Sequence, residues 1–108
     1  MKIYIAGPMT GLPEFNFPAF AAAEAKLRAL GHEPVNPAKL HGDAPLGSKT
    51  HEEYMRVALR TLLDCEGIYL LHGWSGSQAA WLENQVAHAS GLRVFSVWAM
   101  AELEGEKS

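Results

Sequence analysis

Apolar residues fall into two patterns along this chain: short unbroken runs, and longer stretches with an apolar position every third or fourth residue. The runs read as strands buried in a sheet and the stretches as helices. Lys2 to Ala6 is the first run, bounded by Gly7-Pro8. Gly7 to Phe17 also carries Gly11 and Pro13 and reads as a loop. A helix is expected from near Pro18 through Ala-rich sequence to Leu30, with Gly31 as its stop. Glu33 to Asn36 is a short second strand ended by Pro37.

Thr50-His51-Glu52-Glu53 is a capping box that opens a second helix. Tyr54, Val57, Ala58, Thr61, Leu62 and Cys65 share one face of it, and Gly67 is expected to end it. Ile68 to Leu71 is the third strand, and Gly73-Trp74-Ser75-Gly76 a tight turn. Ser77 caps a third helix, Gln78 to Ser90, stopped by Gly91. Its apolar row is Ala79, Leu82, Val86 and Ala89, with Glu83 on the border between Ala80 and Ala87. Leu92 to Trp98 is the last strand, and Ala99 to Ser108 a frayed acidic tail. The Pro37 to Lys49 stretch has no periodicity and suits a lid or binding loop.

Strands alternating with helices predict a parallel sheet covered on both faces: a flavodoxin-like α/β fold of about four strands in the order 2-1-3-4. Residues 1–98 form a single domain in this reading, with 99–108 as the tail. Ligands in such sheets bind at the carboxyl ends of the strands beside the point where strand order reverses. Two loops converge there, Gly7 to Phe17 and Gly73 to Ser77.

Composition narrows the function classes. Nine Lys+Arg against twelve Asp+Glu give a net charge of −3 with no basic block, which argues against duplex nucleic acid as a partner. Cys65 is the single cysteine, so a disulfide framework is excluded, and its place on an apolar face suits a small core residue. No apolar run is long enough to span a bilayer, and the first strand is too short for a secretory signal. A cytoplasmic domain without membrane partners is expected. His32, His41, His51, His72 and His88 lack metal-ligand spacing. Phe15 and Phe17 are expected to staple the first helix.

Ser77, as a helix cap, lies where backbone amides and the helix dipole favour an anion, and Gly73 and Gly76 permit close approach. Glu83 follows six residues later, about 9 Å along a helix. That is roughly the separation between the phosphate of a nucleoside monophosphate and its anomeric carbon. A carboxylate there is either an ordinary solvated glutamate or a nucleophile that attacks C1′ as the base leaves. Trp74 is either a base platform or a cover for the sheet end.

Tyr4-Ile5-Ala6-Gly7-Pro8-Met9-Thr10-Gly11, with Gly73-Trp74-Ser75-Gly76-Ser77 and Glu83 six places on, resembles the nucleoside 2-deoxyribosyltransferase-like superfamily. The resemblance runs from Met1 to about Trp98 and is strongest to the small phage- and prophage-type domains of that group. It implies that Glu83 is the nucleophile and Tyr4 an active-site tyrosine. It implies that Ser77 holds phosphate, with Ser75 and Gly76 beside it, while Gly7, Pro8, Met9, Thr10 and Gly11 line the sugar and base pocket. It further implies a nucleoside or nucleotide substrate, no metal or other cofactor, and a homodimer or larger assembly. Relatives carry an aspartate on the second helix that protonates the leaving base, where this chain has Ala58; Asp64 lies half a helical turn off in direction. A glycine of the relatives is Ala79 here, and an arginine is Thr10. Two functions stay open: an N-glycosidase or deoxyribosyltransferase, and a nucleotide-binding domain that has lost the chemistry.

Overall fold

The computed structural model describes residues 1–9, 12–37 and 50–96. Thr10, Gly11, His41, Trp98, the tail 99–108 and all but Pro37 of the expected lid lie outside the described residues, as does the His51 side chain. The elements are β1 (Lys2–Ala6), α1 (Phe17–Ala29), β2 (Glu33–Val35), α2 (His51–Leu63), β3 (Gly67–Leu70), α3 (Gln78–Ala89) and β4 (Arg93–Ser96). All strand pairings are parallel and the order is β2-β1-β3-β4, as the sequence pattern predicts.

Alternate residues of the central strands feed two cores. Ile3 and Ile5 of β1 join Tyr69, Leu71 and Phe95 against Phe20, Ala23 and Leu27 of α1. Tyr4 and Ala6 join Ile68 and Leu70 on the opposite face, against Leu62 of α2, Cys65 just after it, and Ala80 and Ala87 of α3. Both halves of the Thr50/Glu53 capping box form, and Gly31 and Gly91 follow α1 and α3 at positive φ. No described helix is long and apolar enough to cross a membrane.

Three expectations need correction. Gly67 does not end α2; the helix stops at Leu63, Asp64–Glu66 make the turn, and Gly67 is the first residue of β3. A β-carbon there would lie 3.1 Å from the Arg93 carbonyl oxygen and 3.2 Å from the Phe95 ring, so a larger residue needs those neighbours to give by a few tenths of an ångström. The buried face of α3 is Ala80, Glu83, Asn84 and Ala87, not the row containing Leu82 and Ala89, both of which are exposed. Small alanines let α3 sit close to the sheet, and that contact sets the rotation of the helix more strongly than its larger apolar residues do.

The third correction concerns the loop before α1. Phe15 and Phe17 touch, with ring centroids 6.0 Å apart, but Phe15 remains 44% exposed and neither ring belongs to the two buried cores. Glu14, Phe15 and Asn16 stand at φ 54°, 53° and 61°, three successive left-handed residues without a glycine. Such a residue costs roughly 1–2 kcal/mol, somewhat less for Asn. Pro18 closes off one alternative, because in a right-handed α-helix running back through this segment its ring would meet the Glu14 carbonyl four residues earlier.

Candidate functional site

The two loops at the carboxyl end of the sheet do converge. The Leu71 amide donates to the Ala6 carbonyl at 2.8 Å, which carries the pairing of β1 and β3 past the strand ends. At Gly7 a β-carbon would come within 2.8 Å of Leu71 Cβ and 2.9 Å of its Cδ1, so only glycine fits between the two loops. Pro8 lies 3.4 Å from where a Gly73 β-carbon would be, and Met9 packs against the α1-side core.

The second loop turns through Trp74–Gly76, with the Ser77 amide donating to the Trp74 carbonyl at 3.1 Å. Trp74 packs half-buried against the α3-side core, while Ser75 and Gly76 are exposed and open space surrounds Gly76. Ser77 caps α3 as expected, its Oγ accepting from the Ala80 amide at 3.2 Å. That bond uses the hydroxyl as an acceptor and leaves its proton to donate to an anion. The remaining first-turn amides of α3 point the same way.

Glu83 lies in the centre of the buried face of α3 and is only 5% exposed. Its carboxylate accepts a hydrogen bond from the Tyr4 hydroxyl of β1. Burial pushes the Glu83 carboxyl up from 4.5 to about 7, and the Tyr4 bond works against that rise. The Tyr4 phenol is raised well above its ordinary value by burial and by the Glu83 charge, so it stays a donor throughout the neutral range. A carboxylate in this state is desolvated, oriented, and deprotonated in part at neutral pH, which suits a nucleophile.

Other predicted positions separate from this centre. Ala58 packs half-buried against the same core as Tyr4. Asp64 and Glu66 lie beyond the end of α2, before β3 begins, at the amino ends of the strands. Glu66 there accepts from the Lys2 amide at 3.0 Å. The sheet length separates Asp64 from the two loops, so it does not take the place of an acid at Ala58. Cys65 is a core residue whose thiol, donating to the Thr61 carbonyl, is pushed up to about 11 by burial. His72 and His88 are exposed, and His32 is buried with Nδ1 3.1 Å from the Met1 amine. Among the described residues no cluster of three His, Cys, Asp or Glu side chains could hold a metal.

Sequence reasoning passed over Asn84. It is 7% exposed, and its Oδ1 is buried without a hydrogen-bond partner. The available signal was its spacing from Ala80 and Ala87, four residues after one and three before the other, which puts it on the alanine face.

Fold and site together define a parallel α/β domain with a buried carboxylate–phenol pair beneath a capped helix at its strand-order reversal. A solved 2-deoxyribosyltransferase from the psychrotolerant bacterium Bacillus psychrosaccharolyticus shares this fold, with a TM-score of 0.71 over 89% of this chain and 71% of that one, at 20% identity. No curated protein matches the sequence. Residues 1–96 match the model of a family described as Domain of unknown function (DUF4406), and the chain belongs to that family.

Proposed function

We propose that this domain breaks the N-glycosidic bond of a nucleoside monophosphate, with a deoxynucleotide as the preferred substrate. A Glu83 oxygen attacks C1′, the C1′–N bond breaks, and its electron pair leaves with the base, which takes up a proton. The resulting glycosyl ester is resolved by water, giving hydrolysis, or by the nitrogen of a second base, giving transfer; either returns Glu83 as a carboxylate. Tyr4 holds the attacking group. Ser77 and the first amides of α3 bind the phosphate, with Ser75 and Gly76 beside them. Gly7, Pro8, Met9, Thr10, Gly11 and Trp74 form the sugar and base walls.

The observation that carries this reading is the buried Glu83–Tyr4 pair, two turns below the Ser77 cap. The fold shared with a 2-deoxyribosyltransferase supports it. Assembly as a homodimer or larger belongs to the same reading, and the exposed Leu63, Trp81 and Leu82 supply apolar surface for it. The test is to incubate the protein with each common deoxynucleoside monophosphate and follow free base by chromatography. Base release that vanishes in Glu83→Ala supports the proposal; release no greater than in that variant removes it.

Ala58 favours a second reading, in which the pocket binds a nucleotide without turning it over, because no acid stands there to protonate the departing base. Calorimetry separates the two. Tight binding without base release supports capture.

A further inference from the structure

Between Leu12 and α1 the chain runs against its own preferences. Pro13-Glu14 has the composition of a right-handed first turn, proline then acid, yet Glu14, Phe15 and Asn16 are all left-handed. One side-chain bond ties this turn to the site, from Asn16 Nδ2 to the Pro8 carbonyl at 2.9 Å. Pro8 in turn lies beside Gly73, at the contact between the two site loops. The turn leaves two apolar side chains in solvent, Leu12 at 40% and Phe15 at 44% exposed. Strained backbone beside a ligand crevice, carrying uncovered apolar groups, marks a segment with a second arrangement.

We infer that Leu12–Asn16 is a strap held open in this structure, and that its closure lays the Phe15 ring over the heterocycle of a nucleotide bound against Glu83. The inference rests on the functional reading above. α1 starts on one face of the sheet and α3 on the other, so the crevice at the β1/β3 strand ends has the Glu83 helix on one side and this strap on the other. An aromatic ring delivered from the strap side closes the crevice over the bound base and holds it in place while the C1′–N bond breaks. Leaving the left-handed region relieves the backbone at Glu14 and Phe15, which offsets part of the ordering that closure requires.

Two backbone variants and one side-chain variant test this in the full chain. Glu14→Gly and Glu14→Ala lose the same charge, but only glycine relieves the left-handed conformation. Glu14→Gly is expected to melt about 3 °C above Glu14→Ala and, by stabilising the open strap, to bind deoxynucleotide several-fold more weakly than it. Affinities are measured by calorimetry in a Glu83→Gln background, which removes turnover, with deoxyadenosine and deoxycytidine monophosphates. Phe15→Ala is expected to lose about tenfold in affinity for both and nothing for 2-deoxyribose 5-phosphate, which lacks a base; a merely structural defect weakens all three. Parental affinity for the nucleotides in Phe15→Ala, or Glu14→Ala melting at or above Glu14→Gly, overturns the strap and leaves the functional reading standing. Failure of the unaltered chain to bind any common deoxynucleoside monophosphate overturns the functional reading, and the covering role of Phe15 with it.

Discussion

The Tyr4 phenol and the Glu83 carboxylate, 79 residues apart in the chain, meet beneath α3 as a buried donor–acceptor pair. Burial and this hydrogen bond push the carboxyl in opposite directions, and burial dominates, leaving it at about 7. Ionising the carboxyl therefore costs stability, and the pH dependence of the fold follows from that.

Glu83 is raised in the folded chain, opposite to the usual behaviour of a carboxylate. Between pH 4.5 and about 7 the folded chain holds a proton there that the unfolded chain has lost. Its contribution to stability is thus most favourable below pH 4.5 and is lost as pH rises through about 7, by about 3 kcal/mol in total. Urea unfolding of Glu83→Gln should show the variant gaining most of that amount on the parent between pH 5 and pH 8. A constant difference across this range would contradict the assignment.

Tyr4→Phe removes the bond that holds Glu83 down. The carboxyl should then titrate higher still, readable by NMR of labelled glutamate without any activity. The pH midpoint of base release should move up with it, so the variant loses most of its rate near pH 7 and recovers part of it in alkali.

Ser77→Ala deletes the cap of α3 together with the proposed phosphate contact. Loss of the cap should lower stability by about 1 kcal/mol. If the hydroxyl binds phosphate, KM for a deoxynucleoside monophosphate rises while that for the unphosphorylated nucleoside stays put; equal changes in both point to the cap alone.

Ala58→Asp supplies an acid on the half-buried face of α2 that packs toward Tyr4. Base release should rise about 10²-fold, measured against the parent on a single nucleotide. An unchanged rate in a folded variant would mean that another group already protonates the leaving base.

Gly7→Ala forces a methyl group into the 2.8 Å gap beside Leu71. Both loops are anchored there, so the chain must shift, and a destabilisation of about 1–3 kcal/mol is expected by denaturant titration.

Much of the architecture was legible because it is local. Short, largely apolar runs marked β1, β3 and β4, the stop at Gly31 and the break at Pro37 bounded β2, the Thr50/Glu53 spacing marked the start of α2, and Ser77 marked that of α3, each by chemistry confined to a few residues. The strand order followed from the alternation of elements and the handedness of their crossovers. Gly67 misled because a glycine after a helical stretch resembles a stop, whereas here it opens β3, paired with Arg93 of β4. The α3 face misled because leucine and valine outweigh alanine in any hydrophobic pattern, although alanine packs closer to a sheet.

The sequence alone determined which segments become strands and helices, where two helices are capped, and that Ser77 and Glu83 lie about two turns apart on one helix. It also singled out both members of the buried pair, Glu83 by its spacing and Tyr4 by a family resemblance, without joining them. Only tertiary structure decided how far α3 is rotated against the sheet. That rotation moves Glu83 from the border of the helix to the middle of its buried face, brings the Tyr4 hydroxyl to its carboxylate, and strands Asn84 Oδ1 without a partner. A periodic pattern fixes angles between residues of one helix, but the angle of that helix to its neighbours is set by contacts between residues far apart in the chain.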